Sequence, residues 1–311
     1  MKAWQFVELG QPLTLNEVPD PQAGPDEVVI DVKAAGLCHS DVGYLDGTLT
    51  PILAFHPITL GHEIAGVIAQ VGSNVTAFKV GDRVAVPAKG EGAGTSLHGG
   101  YAPQVMSPAA FVIPVPEGVP WDQAAAATDA GLTSYHAMVV KGQVKAGMKV
   151  GVIGLGGLGS LGAQTALAFG AQVFVAEKNE LVHPYARSLG VAGVSTDIHS
   201  FADQNLDLIV DYAGFGVTTA AAIETVKEGG RVVQVGLGVA EATIPIQTLV
   251  IRQVELVGSV IGSNEDCSLV LDLIAQGKVK ARLEHVTFDE IREGIERLER
   301  GEVIGRLVAM M

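Results

Sequence analysis

The sequence predicts an α/β protein in which a doubly wound parallel-sheet domain is inserted into a β-rich domain. The chain has 311 residues, more than one ordinary core needs, so two domains are expected. Short β-branched runs between turn residues dominate the first part of the chain, whereas apolar strands alternate with helical segments further on, a pattern typical of parallel sheets. We therefore assign 131–261 to the parallel-sheet domain, and 1–130 with 262–311 to the β-rich domain.

Strands of the β-rich domain are predicted where alternating or β-branched runs lie between residues that favour turns. These runs are Glu27–Val32, Ile64–Val71, Arg83–Val86 and Phe111–Val115. Asp122, which follows Pro120 closely, is predicted to cap a helix that leads towards the second domain.

In the parallel-sheet domain, apolar runs are predicted as strands and the segments between them as helices. The strands are Lys149–Ile153, Gln172–Ala176, Leu206–Tyr212 and Arg231–Val235, and the helices are Gly159–Phe169 and Thr218–Val226. Two further helices, Asn264–Gln276 and Phe288–Arg300, and a final strand, Ile304–Ala309, follow. Because these segments no longer alternate apolar strands with helices, the chain is expected to return to the β-rich domain.

Composition limits the classes of partner. Hydrophobic residues make up 48% and charged residues 17% of the chain, so it is not of the weakly hydrophobic, highly charged kind that stays disordered. The net charge of −14 argues against nucleic acid or an anionic membrane as the main partner. Two cysteines cannot form a disulfide framework, and the N-terminal residues lack the apolar segment of a signal peptide, so a cytoplasmic protein is expected.

The uncharged stretch Val150–Ala176 is long enough to span a membrane. It contains the run GLGGLG and the polar residues Gln164, Thr165 and Gln172. A βαβ unit that is buried on both faces of its sheet produces the same lack of charge, and the glycine pattern has an explanation of its own. The sequence therefore predicts no membrane segment here.

The run GLGGLG at 154–159 has the spacing of a dinucleotide-binding loop. It follows an apolar strand and opens a helix, which is the context that this motif requires. Gly154 permits the tight turn, Gly156 lets the backbone approach a pyrophosphate, and Gly159 lets the helix pack on the strand. Leu158 completes the loop, and the helix N-terminus supplies free N–H groups for the anion.

Glu177 follows the next strand, near the distance of about 20 residues expected for the acid that binds the adenosine ribose hydroxyls. A carboxylate there repels a 2′-phosphate, which favours NAD over NADP. Lys178 would be able to meet such a phosphate, so NADP stays open as the less favoured coenzyme.

Cys38, His62 and Glu63 form a second group of candidate residues. A single cysteine is more often a small buried hydrophobe, but thiolate, imidazole and carboxylate together are the ligand types that zinc accepts. A catalytic zinc needs three protein ligands and one open position. The three residues are therefore candidates for a metal site.

The sequence resembles the zinc-dependent medium-chain alcohol dehydrogenases, in a form that lacks the structural-zinc lobe. Distinct motifs in the order of the family carry the resemblance. They are AAGLCHSD at 34–41, LGHEIAGVIAQVGSNV at 60–75, VGDRVAV at 80–86, GGYAPQV at 99–105, TDAGLTSYHA at 128–137, GLGGLG at 154–159 and GEVIGRLV at 301–308. The resemblance implies a Rossmann domain inserted into a GroES-like catalytic domain, and a homodimer or homotetramer that interconverts a small alcohol with an aldehyde or ketone.

The resemblance also implies roles for individual residues of the metal site. Cys38 and His62 match the first two zinc ligands, and Asp129 stands where much of the family has a third cysteine ligand. Glu63 would support the metal or bind it transiently, Ser40 would begin the proton relay, and His39 would contact the coenzyme pyrophosphate.

Further positions match the coenzyme site of the family. Thr133 and the turn Val235-Gly236-Leu237 match positions beside the nicotinamide. Together with the glycine-rich loop and Glu177, they complete the predicted coenzyme site.

Two departures from the family pattern matter. The four cysteines of the structural zinc site are absent, and Cys267 is the only thiol besides Cys38, so one zinc per subunit is predicted. The histidine that commonly ends the proton relay is replaced by Gly43, so Tyr44, water or the ribose hydroxyl would have to complete it.

Two other functions stay open from the sequence. A zinc-free quinone or enone reductase of the same superfamily would also lack the structural lobe. A nucleotide-binding relative without catalysis would tolerate the incomplete relay.

Overall fold

The computed structural model describes every residue of the chain, Met1–Met311. The chain forms two compact units. The first, the β-rich unit, consists of Met1–Leu132, Ser263–Gln276 and Ala281–Met311. The second, the α/β unit, consists of Thr133–Gly262 and Gly277–Lys280, and it interrupts the chain of the first.

Strands and helices are distributed over the whole chain. The strands are β1 (Lys2–Phe6), β2 (Thr14–Glu17), β3 (Glu27–Leu37), β4 (Ile58–Thr59), β5 (Glu63–Val71), β6 (Arg83–Val86), β7 (Gln104–Pro108), β8 (Ile113–Pro114), β9 (Lys149–Ile153), β10 (Gln172–Ala176), β11 (Gly193–Ser195), β12 (Leu208–Asp211), β13 (Arg231–Gln234), β14 (Glu255–Gly258), β15 (Leu283–Thr287) and β16 (Arg306–Met310). The α-helices are α1 (His39–Asp46), α2 (Trp121–Ala126), α3 (Leu132–Tyr135), α4 (Gly157–Ala168), α5 (His183–Ser188), α6 (Val217–Thr225), α7 (Ile246–Ile251), α8 (Asn264–Ala275) and α9 (Ile291–Glu299). The π-helical segments are Ala127–Gly131 and His136–Lys141, and the 3₁₀ segments are Thr50–Ile52, Ala109–Phe111, Glu180–Val182, Ile198–Gln204 and Phe288–Glu290.

A seven-stranded sheet organises the β-rich unit. Its order is β15-β16-β3-β5-β6-β8, and β7 also pairs with β3. A smaller sheet has the order β2-β1-β4. The last strand, β16, pairs antiparallel with β3, so that Leu307 lies opposite Leu37, while Gly36 of β3 lies opposite Glu63 of β5. Three segments that are distant in sequence therefore meet beside Cys38.

The α/β unit contains a six-stranded parallel sheet in the order β11-β10-β9-β12-β13-β14. The first strand of this unit, β9, has the next two strands, β10 and β11, on one side. The last three strands, β12, β13 and β14, lie on the other side, which is the doubly wound topology. Val150, Val173 and Val210 of the central strands are fully buried, as expected of strands covered on both faces. The predicted α/β class with a doubly wound sheet is confirmed.

The uncharged stretch Val150–Ala176 is divided among β9, α4 and β10. No helix of the chain combines the length and the hydropathy that a membrane span requires. The lack of charge in this stretch follows from its burial within the α/β unit, where Leu161, Ala163 and Ala166 of α4 are buried.

The predicted cap at Asp122 is wrong. Pro120 is the N-cap residue of α2, and Asp122 lies in the first helical turn. There its carboxylate approaches His285 to 2.9 Å. The extended backbone of Pro120 ends the preceding loop, so the helix begins two residues before the position that the capping pattern indicates.

The hydrophobic pattern misses several strands, β1 and β14 among them. Four of the five β1 residues are buried in succession, and the short edge strand β14 has mainly exposed side chains. Neither strand shows the apolar–polar alternation that identifies a half-buried strand.

Candidate functional site

Cys38 lies where β3 ends and α1 begins, as the N-cap residue of the helix. The Cys38 N–H donates to the Asp41 carboxylate at 2.9 Å, and the Asp41 N–H donates to the Cys38 carbonyl at 3.0 Å. Burial and the negative charge of Asp129 act to raise the pKa of Cys38. The positive charge of Arg306 and the hydrogen bond with His62 outweigh them, so that the pKa is lowered overall. These interactions therefore make the thiolate, which a metal needs, easier to form.

Glu63 is the first residue of β5, and His62 directly precedes it, after a turn that only glycine accommodates. Gly61 has a φ of +92°, and a Cβ atom there would lie 2.5 Å from the Tyr101 ring. A Cβ atom on Gly36, across the sheet, would lie 2.0 Å from the Glu63 carboxylate. The glycines of the two motifs thus leave the room that His62 and Glu63 occupy.

Asp129 lies on the π-helical segment Ala127–Gly131, which follows α2. A π-turn inside a helix changes the direction of its side chains and often occurs at functional sites. The Thr128 carbonyl accepts a hydrogen bond from Ala88 N–H at 2.9 Å, and the Cys267 thiol lies 3.5 Å from the Ala127 carbonyl. These contacts hold the segment against the rest of the β-rich unit.

Cys38, His62, Glu63 and Asp129 converge on one point, and their ligand atoms all lie within 4.8 Å of one another. Asp129 Oδ2 lies 3.5 Å from Cys38 Sγ and 3.6 Å from His62 Nε2. A tetrahedral zinc ion at about 2.3 Å from sulfur and about 2.0 Å from oxygen or nitrogen would separate these atoms by about 3.3–3.5 Å. The donor set and its spacing therefore fit a zinc ion.

A buried chain of polar side chains supports His62. Tyr101 O–H donates to Asp41 Oδ2 at 2.7 Å, and Asp41 Oδ1 lies 3.6 Å from His62 Nδ1. Burial favours the neutral imidazole, but the Asp41 and Asp129 carboxylates outweigh it and raise the pKa of His62 well above its usual value. The Asp41 carboxylate therefore lies behind Nδ1, while Nε2 on the other side of the ring faces Asp129.

Arg306, the first residue of β16, is the buried cation of this site. Its Nε donates to Glu63 Oε2 at 3.1 Å, its Nη2 donates to Asp129 Oδ2 at 3.2 Å, and Nη2 also contacts Glu63 Oε1. Arg306 is 5% exposed and Glu63 is fully buried. The guanidinium therefore holds Glu63 and compensates the surrounding carboxylates, a role that the sequence motifs did not indicate.

Ser40 and His39 lie on the first turn of α1. Ser40 Oγ is 3.5 Å from Cys38 Sγ, which places the hydroxyl at the edge of the candidate metal site. The His39 ring forms a hydrogen bond with the Leu298 carbonyl, while partial desolvation and the Arg306 charge lower its pKa. Contact between His39 and a pyrophosphate would require the ring to give up this bond.

A side chain at position 43 of α1, such as the relay histidine of the family, would crowd the side chains of Thr48 and Leu49. A Cβ atom on Gly43 would lie 2.9 Å from the Leu49 side chain. Tyr44 is buried, and its ring packs edge-on against His62 at 6.4 Å between centroids. Burial raises the pKa of Tyr44 to about 12, so its hydroxyl keeps its proton at neutral pH.

The glycine-rich loop of the α/β unit connects β9 to α4, and Gly156 is the N-cap residue of that helix. Gly154 has a φ of +82°, and a Cβ atom on Gly159 would lie 1.8 Å from the Gly154 carbonyl oxygen. Gly156 faces open space. The three glycines thus meet the requirements for the turn, the packing and the approach of a pyrophosphate.

Glu177 is held beside this loop. Its carboxylate accepts hydrogen bonds from Leu155 N–H at 2.6 Å and from Asn179 N–H at 2.8 Å. Each carboxylate oxygen has a further lone pair for a ribose hydroxyl. The neighbouring Lys178 is exposed.

The remaining predicted coenzyme residues also belong to the α/β unit. Thr133 precedes Ser134, whose hydroxyl donates to the Leu158 carbonyl at 2.7 Å, so this helix adjoins the glycine-rich loop. Val235 and Gly236 both donate from their N–H groups to the Asp211 carbonyl at 3.0 Å. Leu237 is 76% exposed.

Comparisons with known proteins identify the family of the chain. A family model described as the alcohol dehydrogenase GroES-like domain matches residues 24–117, and a model described as zinc-binding dehydrogenase matches residues 157–276. An alcohol dehydrogenase of Geobacillus stearothermophilus is 32% identical and covers 99% of each chain. The NADP-dependent alcohol dehydrogenase C 1 of Mycolicibacterium smegmatis is 30% identical, over 99% of this chain and 97% of the relative.

Solved structures give the same result for the fold. The acetophenone reductase of Geotrichum candidum, in complex with NAD, matches with a TM-score of 0.90 and 31% identity, over 100% of this chain and 97% of that one. The alcohol dehydrogenase of the archaeon Aeropyrum pernix matches with a TM-score of 0.91 and 27% identity, over 100% of both chains.

Proposed function

The chain belongs to the zinc-type medium-chain alcohol dehydrogenase family, and we propose that it is a zinc- and NAD-dependent enzyme that interconverts a small alcohol with its aldehyde or ketone. One observation carries the proposal: Cys38, His62 and Asp129 direct a sulfur, a nitrogen and an oxygen atom at one point, with separations of 3.5 and 3.6 Å around Asp129 Oδ2. Three ligands with a fourth position open are the arrangement of a catalytic zinc.

When bound, zinc supplies the Lewis acidity that lowers the pKa of a coordinated hydroxyl, and NAD supplies the hydride acceptor. Cys38 and Asp129 each contribute a negative charge that balances the charge of the ion. Asp41 orients His62 from behind, so that the imidazole presents Nε2. Arg306 holds Glu63 as an ion pair, so Cys38, His62 and Asp129 are the three residues that would hold the ion.

Ser40 is the proposed start of the proton path. Its hydroxyl lies beside Cys38 and can accept the alcohol proton as it passes its own proton onward. Because position 43 has no side chain, the next acceptor is proposed to be water or the ribose hydroxyl.

The metal content is proposed to be one zinc per subunit. The chain has two cysteines, and Cys267 is fully buried, with the pKa of its thiol raised by burial. A site with four cysteines cannot form from this sequence.

A direct assay tests the proposed reaction. We expect the protein to oxidise members of a primary and secondary alcohol series with NAD, to lose this activity on chelation, and to regain it on addition of zinc. Reduction of quinones or enones with NADPH, unaffected by chelation, would contradict the proposal and favour the zinc-free reductase. Binding of NADH without turnover of either substrate class would favour a relative without catalysis.

Glu177 supports the choice of NAD, because its carboxylate would repel a 2′-phosphate. Substituting Glu177→Gln removes the charge and keeps an acceptor for the Leu155 N–H. Loss of a charged hydrogen-bond acceptor corresponds to about tenfold in binding, so the ratio of kcat/KM for NAD to that for NADP is expected to fall about tenfold. The exposed Glu180→Gln serves as the control. An unchanged ratio, or a wild type that prefers NADP, would contradict this assignment.

The oligomeric state and location are also proposals. The edge strand β14 leaves main-chain groups unpaired on one side, and Val250, Ile251 and Leu256 near it are exposed. These features support a homodimer or homotetramer, which light scattering on a sizing column would test. The free thiols of Cys38 and Cys267 support a reducing, cytoplasmic location.

A further inference from the structure

Asp211, the last residue of β12, carries a buried carboxylate that the proposed reaction does not use. Its side chain is fully buried, and its two oxygens accept four hydrogen bonds. Oδ1 accepts from Ala213 N–H at 3.0 Å and Gly214 N–H at 2.9 Å, and Oδ2 from the hydroxyls of Thr218 at 2.8 Å and Thr219 at 3.0 Å. A buried carboxylate is tolerated when donors saturate it, and here the donors come from the following loop and the first turns of α6.

The same residue also holds the loop that follows β13. The main-chain carbonyl of Asp211 accepts from Val235 and Gly236 N–H. Thr219 Oγ1 lies 2.9 Å from Gln234 Oε1, and Gln234 Nε2 donates to the Gly236 carbonyl at 2.8 Å. The Asp211 side chain therefore holds the loop after β12, and its main-chain carbonyl holds the loop after β13. A change in the side-chain bonds reaches the second loop through its contact with the first.

The two loops touch through their backbones. A Cβ atom on Gly214 would lie 2.0 Å from the Gly236 carbonyl oxygen, and a Cβ atom on Gly236 would lie 2.5 Å from the Ala213 carbonyl carbon. No side chain fits between the loops, so their separation depends on the hydrogen bonds that hold them. Phe215 and Leu237, one from each loop, are 59% and 76% exposed.

The position of these loops in the sheet indicates which ligand they would contact. In a doubly wound sheet, the ligand lies outside the carboxyl ends of the strands, where the strand order reverses. Here that crevice lies between the loop after β9, which contains the glycine-rich motif, and the loop after β12. Tyr212 N–H donates to the Ile153 carbonyl at 2.9 Å, so the loop that Asp211 organises adjoins the glycine-rich loop.

We propose that Asp211 is a positioning residue for the nicotinamide half of the coenzyme. It holds the loops after β12 and β13 in one arrangement, and so fixes Val235, Gly236 and Leu237. The proposal rests on the proposed dinucleotide-dependent function, but it concerns coenzyme binding and can be tested without turnover. Because the adenine half is assigned to the glycine-rich loop and Glu177, loosening the Asp211 contacts affects only the other half.

The test uses two isosteric variants, one on α6 and one at the end of β12. Thr218→Val removes the donor to Asp211 Oδ2 and the acceptor of the Phe215 N–H, and Asp211→Asn removes the charge. Thr225→Val on the same helix is the matched control, because the buried Thr225 hydroxyl has no hydrogen-bond partner. Titration calorimetry on the full chain measures the Kd of NADH and of ADP-ribose, which lacks nicotinamide.

We expect Thr218→Val and Asp211→Asn to raise the Kd of NADH about tenfold, as for loss of a hydrogen bond to a charged group. The Kd of ADP-ribose, the metal content and the KM for alcohol stay at wild-type values, while the KM for NAD rises with the Kd. Thr225→Val changes none of these. If Asp211→Asn does not fold, Thr218→Val alone decides the question.

Three results would overturn the proposal: unchanged NADH binding in the variants, an equal loss of NADH and ADP-ribose binding, or an equal effect of Thr225→Val. A wild type that binds NADH but turns over no alcohol would refute the proposed reaction and leave the positioning role standing or falling on the two Kd values. A wild type that binds no NADH would refute both.

Discussion

Replacing Asp129 by alanine is expected to remove bound zinc and to lower alcohol turnover by more than about 100-fold. Loss of a residue that only supports a metal ligand already costs about 10–100-fold in affinity or activity, and the proposed role of Asp129 is to supply a ligand atom itself. Its Oδ2 atom lies at the centre of the site, within 3.6 Å of Cys38 Sγ and His62 Nε2. Without it, only two of the proposed ligands remain, whereas a catalytic zinc needs three from the protein.

Elemental analysis of zinc per subunit checks this expectation, with kcat/KM measured on the same preparations. Asp272→Ala, which removes an exposed carboxylate on α8, is the control and is expected to keep one zinc. Asp129→Cys supplies the ligand that much of the family carries there, and is expected to retain zinc where Asp129→Ala loses it.

Two outcomes would refute this assignment in different ways. Full zinc content in Asp129→Ala would move the third ligand elsewhere, with Glu63 as the first candidate, and Glu63→Gln in the same background would then release the metal. A wild type that binds no zinc, even when the metal is supplied during expression, would refute the zinc enzyme as a whole.

The candidate ligands that the structure brings together could be identified from the sequence because each lies in a short local motif. Gly36 lies two residues before Cys38, and Gly61 directly precedes His62. The conformation of these glycines, or their lack of a side chain, makes room for the site, and such requirements leave a visible pattern. Asp129 was identified by its place in the motif TDAGLT. The π-turn that carries it has no comparable pattern, since it depends on packing of the segment Ala127–Gly131.

Arg306 could not be predicted in the same way. It lies 177 residues from Asp129 and 243 from Glu63 in the chain, and only the pairing of β16 with β3 brings it to the site. The partners of such a buried charge depend on strand order, which hydrophobic periodicity does not specify. Asp211 was missed for a different reason. Its side-chain partners all lie within eight residues of it, but the sequence shows the residue only as the polar end of a predicted strand.

Substituting Arg306→Met is expected to destabilise the protein by about 3–5 kcal/mol, the usual cost of removing one partner of a buried ion pair. Glu63 is fully buried and has Arg306 on both of its carboxylate oxygens. Methionine would fill much of the same volume, so the loss reports mainly on charge rather than on a cavity. Urea unfolding of the metal-free protein measures it, because zinc would otherwise compensate the same carboxylates.

A second substitution, at Glu63, distinguishes a charge effect from a packing effect. If the cost comes from an unpaired charge, Glu63→Gln in the Arg306→Met background removes that charge, and we expect it to recover at least half of the lost free energy of unfolding. A packing effect would leave the double variant as unstable as Arg306→Met. Arg300→Met, which breaks an exposed pair with Glu302, controls for loss of an arginine as such and is expected to remain close to wild type. A small effect of Arg306→Met would mean that Glu63 can be solvated or protonated without its partner, and Arg306 would then not be what keeps Glu63 in place.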